Sequence, residues 1–146
     1  MNKEDKALLI KDLCARIPYA VKVELTNGFR GVLHNIEVIH LYNDDIETDY
    51  VDDYFASIDF FGDNDKFDIE GIKPYLFPLS SMTEGQCYEL ASICSEFQDC
   101  WKYIKTPIPL SICNFEQIDW FHRNHFDYRG LIEKGFAIDA TDKNIY

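Results

Sequence analysis

No apolar run in this chain approaches the roughly 20 residues that a membrane-spanning helix requires. The N-terminal stretch, MNKEDKALLIKDL, is charged and amphipathic, which is not the pattern of a secretory signal. Catalytic signatures are equally scarce. The sequence contains no GxSxG, P-loop, dinucleotide-binding fingerprint or HExxH. Cys113 near His122 and His125 is a coincidence of residue types, not a nucleophile motif. No CxxC pair occurs among the five cysteines Cys14, Cys87, Cys94, Cys100 and Cys113, and their number is odd. Cys87 and Cys94 share a helix face but stand roughly 10 Å apart there, too far for a disulfide. Free, largely buried thiols in a reducing cytoplasm are expected. Internal repeats are absent, and a single domain over 1–146 is the natural division.

Basic clusters are missing too, and acid is abundant. Net charge is −12, and the window 44–70 alone holds eleven carboxylates against Lys66. That window carries −10, which leaves −2 for the rest of the chain. Phosphate contacts need clustered Lys and Arg, so nucleic-acid binding is disfavoured, as is an anionic membrane surface. Solubility accounts for much of this charge, and a protein partner with a basic surface would suit it as well. Hydrophobic residues make up 47% and aromatics 15%, with nine Tyr and eleven Phe, so a folded core built on rings is expected.

The junction of the chain is Ile72–Glu84, IKPYLFPLSSMTE. Pro74 and Pro78 hold the preceding residues extended and forbid a helix, which predicts an edge strand. Ser80, Ser81 and Thr83 then offer helix caps, with Ser81/Glu84 and Thr83/Gln86 at capping-box spacing. Before this junction the pattern is strand and turn. A helix over 3–16, capped by Asn2 and ended near Pro18, keeps Leu8, Leu9, Leu13 and Ile17 on one face, with Lys3, Lys6, Lys11 and Asp12 outside. Strand 19–25 and a return strand over 31–40 flank Asn27-Gly28, the strongest short hairpin signal, and Gly31 suggests a bulge. Residues 42–53 read as a loop, with Ile46, Tyr50 and Tyr54 spaced for a short acidic helix. Strand 54–61, a turn at 62–65 and one or two strands within 67–78 follow.

After the junction the period changes. Cys87, Leu90, Cys94, Phe97, Trp101 and Ile104 form an apolar stripe on a helix over 83–104. Pro107 and Pro109 make a linker. Asn114 and Gln117 cap a third helix carrying Phe115, Ile118, Phe121 and His125, a turn follows at Arg129-Gly130, and 136–140 is an edge strand. The fold class is therefore α+β. A small bent antiparallel sheet or SH3-like barrel over about 19–78, plus the C-terminal edge strand, packs with an N-terminal helix and two C-terminal helices.

The richest cluster of functional residue types is Trp120–Gly130, WFHRNHFDYRG. His122 and His125 lie one turn apart, with Asp127 as a third candidate ligand and Tyr128 and Arg129 beside them. A zinc site needs three or four ligands at recognisable spacing, so no metal and no cofactor is expected. In the structural reading His125 packs, His122 faces water, and Asp127 and Arg129 stabilise a turn through an Asx-type bond and an ion pair. The run DNDKFDIE at 63–70 offers Asp63, Asp65 and Glu70 to a cation, but it lacks the glycine and spacing of an EF-hand.

Three stretches resemble a known family. KEDKALLIKDLCARIPYAVKVEL (3–25), IKPYLFPLSSMTE (72–84) and IDWFHRNHFDYRGLIEKGFAIDA (118–140) are similar to uncharacterised proteins of phages, prophages and other mobile elements of gut bacteria. The resemblance spans about four tenths of the chain, in the same order, and leaves out the acidic 37–70 region. It implies a phage or mobile-element context and no activity. The expected function is a small non-enzymatic binding or regulatory protein, cytoplasmic, turning its acidic face to a basic partner. The alternative is a metal-dependent or acid–base enzyme centred on His122, His125 and Asp127.

Overall fold

The computed structural model describes residues 1–41, 51–60, 63–93 and 114–146. The fold is α+β, and among the described residues seven strands form a bent, mixed sheet that does not close. Of the two expected forms, a bent sheet and an SH3-like barrel, the bent sheet is the one found. The chain divides into two compact units, Met1–Pro74 and Tyr75–Tyr146.

In the first unit, α1 (Lys3–Arg16) begins where Asn2 accepts a hydrogen bond from the Asp5 backbone N–H, 2.7 Å away. Glu4 and Asp5 in its first turn and Arg16 in its last suit the helix dipole. Leu9 and Leu13 are fully buried on it, and α1 packs against β2. Asp12, expected on the outer face, is instead fully buried and bound by Arg16: Nε to Oδ2 is 2.6 Å and Nη2 to Oδ1 is 3.2 Å. The pair exists because i and i+4 share a helix face, and burial is tolerable because each charge meets its opposite. Cys14 corrects the expectation of buried thiols, for it lies on the exposed side of α1. Partial shielding pushes its thiol pKa up. Cys87 is buried as expected, while Cys94, Cys100 and Cys113 lie outside the described residues.

Pro18 opens a single 3-10 turn, Ile17–Tyr19, and Ala20 follows in the left-handed region at φ 52°. β1 therefore starts late, at Lys22–Leu25. It turns through Asn27-Gly28 (Gly28 φ +84°) into β2 (Arg30–Leu41), with Leu25 N–H donating to the Phe29 carbonyl at 2.8 Å. The register shift in β2 falls between Leu33 and Asn35, not at Gly31. β3 (Val51–Phe60) begins three residues before its expected start, so 51–53 is strand where a loop was read. Residues 42–50 lie outside the described residues. β4 (Asp63–Asp68) takes up part of the expected turn, and a 3-10 turn at Ile69–Gly71 leads into β5 (Ile72–Pro78). Strand order in this unit is β4-β3-β2-β1-β5, all antiparallel. Val21, Val23, Leu25, Leu33, Ala56, Ile58, Ile69 and Ile72 join Leu9 and Leu13 as buried apolar side chains of this unit.

β5 is not the edge strand that its prolines suggested. Ile72–Pro74 pairs with β1, while Tyr75 and Leu76 pair with Ile138 and Asp139 and Phe77 and Pro78 with Phe126 and Asp127. Each short stretch has its ladder on one side, so neither proline is asked for bonds in two directions. These last pairings are parallel, which makes the sheet mixed where an antiparallel one was expected.

In the second unit, Ser81 belongs to a 3-10 turn and its hydroxyl donates to the Pro78 carbonyl at 2.8 Å. Thr83 and Gln86 form the box that precedes α2 (Glu84–Ile93): Thr83 N–H donates to Gln86 Oε1, and Gln86 N–H to Thr83 Oγ1. Of the expected stripe, Cys87 and Leu90 are buried, and residues from 94 onward, including the Pro107/Pro109 linker, lie outside the described residues. α3 (Phe115–Arg123) starts from the expected Asn114/Gln117 capping box. Phe115, carried by this helix as expected, is 82% exposed. β6 (Phe126–Asp127) and β7 (Ile138–Asp139) complete the unit. Its core gathers Leu79, Met82, Cys87, Leu90, Trp120, Phe121, Phe126 and Tyr128. No helix among the described residues is long and apolar enough to cross a membrane.

Candidate functional site

The cluster Trp120–Gly130 begins on α3 and leaves it by a sharp corner. Asn124 ends the helix, its side-chain amide donating to the Trp120 carbonyl at 3.0 Å. His125 then adopts φ 57°, a left-handed conformation that few non-glycine residues take, and lies beyond the helix on which it was expected. Its N–H donates to the His122 carbonyl (3.1 Å), and its own carbonyl accepts from Phe77 N–H (2.9 Å). The corner turns α3 into β6 and so places Phe126 and Asp127 beside β5.

The two imidazoles meet different rings. His122 is buried, contrary to the expectation that it faces water, and its Nε2 lies 2.8 Å from the Tyr128 hydroxyl. His125 is buried as well, stacked on Tyr146 with centroids 4.0 Å apart and planes 11° from parallel. Tyr146 is itself held by its hydroxyl, which donates to the Tyr75 carbonyl at 2.9 Å. Asp127 is equally engaged: Oδ1 accepts from Leu131 N–H at 2.9 Å and Oδ2 from Ile132 N–H at 2.8 Å. An Asx-type bond would reach two residues on; these bonds reach four and five residues on and hold the turn from further along the chain. Gly130, at φ +73°, supplies the backbone conformation that lets the chain fold back onto that carboxylate. The Arg129 guanidinium lies over the Tyr128 ring, 4.8 Å from its centroid, a cation–π contact.

Of the five residues singled out from sequence, His122 and Tyr128 meet directly, and Arg129 covers Tyr128 from its neighbouring position. His125 and Asp127 serve other contacts. Among the described residues no three His, Cys, Asp or Glu side chains are grouped to hold a metal ion. The acidic run 63–70 is strand and 3-10 turn instead of a cation loop. There Asp68 accepts from Glu70 N–H at 2.9 Å, and Glu70 faces Lys6 at 3.3 Å. Tyr146 is the residue that sequence reasoning missed. An aromatic 21 positions from His125 carries no local signal of the stack, and only the return of the chain along β5 creates it.

On β3 and β4 the carboxylates are arranged differently. Asp59, Asp65, Asp68 and Glu70 are exposed. Asp68 pairs with Phe55, which pairs with Glu37, so Glu37, Asp68 and the alternating Asp59 share one face of the sheet. Lys66 lies on that face too and forms an ion pair with Glu37 across β3. Asp65 is on the opposite face, opposite buried Ile58. The chain matches no known family model, no curated protein and no solved structure.

Proposed function

We propose that this protein is a small, non-enzymatic binding or regulatory protein of phage or mobile-element origin that presents the acidic face of β3 and β4 to a basic partner. The observation that carries the reading is the contrast between its two clusters of polar residues. His122, Asp127, Tyr128 and Arg129 are engaged in holding a corner of the chain. Asp59 and Asp68, by contrast, are exposed on one strand face, and the single lysine in their window is tied to Glu37. Like charges held on a rigid face attract a basic surface and speed its encounter, and the same field repels nucleic acid. The mobile-element origin rests on the resemblance of 3–25, 72–84 and 118–140, and it agrees with a cytoplasmic role.

Capture of host proteins on wild type and on Asp59→Lys/Asp68→Lys tests this. A basic protein retained at about 50 mM salt, released by about 500 mM and lost from the charge-reversed variant is the expected result, since salt at that level screens exposed charges within a few Å. Equal retention of the same protein by both forms overturns it.

A further inference from the structure

We propose that His125, Phe77 and the Tyr75 carbonyl form a binding slot for a phenol ring, the side chain of a tyrosine on another protein, and that Tyr146 fills this slot in cis. The inference stands apart from the acidic-face reading, and every residue of the slot belongs to the second unit. The Tyr146 ring stacks on the imidazole with centroids 4.0 Å apart and meets the Phe77 ring at 5.8 Å, tilted by 50°. Its hydroxyl donates to the Tyr75 carbonyl at 2.9 Å. A flat ring thus finds a face, a side wall and, at its far end, an acceptor. Such an arrangement suits a phenol better than a phenyl ring, which does not use the acceptor.

The walls of the slot are held by bonds that do not involve Tyr146. His125 keeps its φ of 57° between two main-chain bonds: its N–H donates to the His122 carbonyl at 3.1 Å, and its carbonyl accepts from Phe77 N–H at 2.9 Å. A left-handed residue of this kind persists where the surrounding structure over-determines it, and such residues cluster at ligand-holding sites. Phe77 and the Tyr75 carbonyl come from β5, fixed by its pairing with Phe126 and Ile138. The occupant, by contrast, arrives on a strap along the surface. Ala140 N–H still donates to the Leu76 carbonyl at 2.9 Å, but residues 141–144 are exposed. Two bonds there close within the strap: Thr141 N–H donates to the Asp139 carboxylate at 2.9 Å, and Lys143 N–H to the Ala140 carbonyl at 3.1 Å. Tyr146 itself stays 43% exposed inside the slot. A ring held on such a tether competes with a ring from outside, at an effective concentration set by the strap. The apparent affinity for an outside phenol falls with the fraction of molecules whose slot stands open.

Titration of p-cresol, the tyrosine side chain as a free molecule, into wild type and Tyr146→Ala tests the proposal, with toluene as the same ring lacking the hydroxyl. Binding is read by NMR from the Phe77 amide and the His125 ring. Tyr146→Ala is expected to stay folded and to bind p-cresol saturably, at least about tenfold tighter than wild type does and tighter than it binds toluene. In wild type, excess p-cresol moves the Tyr146 ring resonances to their unfolded positions as the strap leaves. A folded alanine variant that takes up no p-cresol overturns the proposal, as does equal binding by variant and wild type. Equal binding of p-cresol and toluene removes the Tyr75 carbonyl from the slot and overturns its selectivity for a phenol. An alanine variant that unfolds makes Tyr146 a structural stay instead of a displaceable occupant, and overturns it too. None of these results touches the capture of a basic protein, so the acidic-face reading stands or falls separately.

Discussion

Trp120→Ala is expected to lower the unfolding free energy by about 3–5 kcal/mol, the cost of deleting a large buried aromatic and leaving a cavity. Trp120 is 1% exposed and lies at the centre of the second unit's core. Its ring stacks on Phe126 at 5.5 Å with planes 6° apart and meets Phe121 edge-on at 5.7 Å. Phe126 immediately follows the His125 corner, so the same indole that fills the core also fixes the strand that turns away from α3. Trp120→Phe separates packing from polarity. Its ring keeps both aromatic contacts, and the indole N–H it removes is buried with no hydrogen-bond partner among the described residues. The phenylalanine variant should therefore cost roughly half as much as alanine or less. Denaturant melts of the two variants check both values. An alanine variant that melts like wild type would remove Trp120 from the core.

Arg16→Ala should be comparably severe for the first unit, at about 3–5 kcal/mol, although no large side chain is lost. Its guanidinium and the Asp12 carboxylate are both 0% exposed, and removing the cation leaves the anion dry. The expected asymmetry is diagnostic. Asp12→Leu/Arg16→Met removes both charges together and should restore most of the stability lost by either single change, because a buried pair is held at a desolvation cost that apolar residues do not incur. A double-mutant cycle measures this coupling. If Arg16→Ala costs less than about 1 kcal/mol, the pair is not sequestered in solution as it is in the structure.

Much of the fold was legible because its signals are local. Asn2 at the start of α1, Asn27-Gly28 between β1 and β2, Thr83/Gln86 before α2 and Asn114/Gln117 before α3 each declare themselves within four residues, and each does what that spacing requires. The errors lie where distant chain decides. Two prolines argued for an edge strand, yet β5 is shared among β1, β6 and β7 because each partner takes only two or three of its residues. β6 is two residues long, too short for any periodicity to announce, and exists only because Phe77 N–H meets the His125 carbonyl. Asp12 looked like one more polar residue on an outer face. Burial of a charge is unreadable from its own position, although Arg16 four residues on was the available sign. In the candidate site the partners were not visible in the sequence: Tyr128 for His122, Tyr146 for His125, and the 131–132 backbone for Asp127.

The central claim is that WFHRNHFDYRG builds a corner of the fold, not a metal centre, and that the acidic strands meet the basic partner. Elemental analysis of the protein purified without an affinity tag, beside His122→Ala/His125→Ala, tests it most directly. Zinc and iron far below one equivalent per chain in both forms, with a lowered melting temperature in the variant, is the expected result. A full equivalent of either metal in wild type, lost in the double variant, would contradict the claim and make the histidines a metal centre.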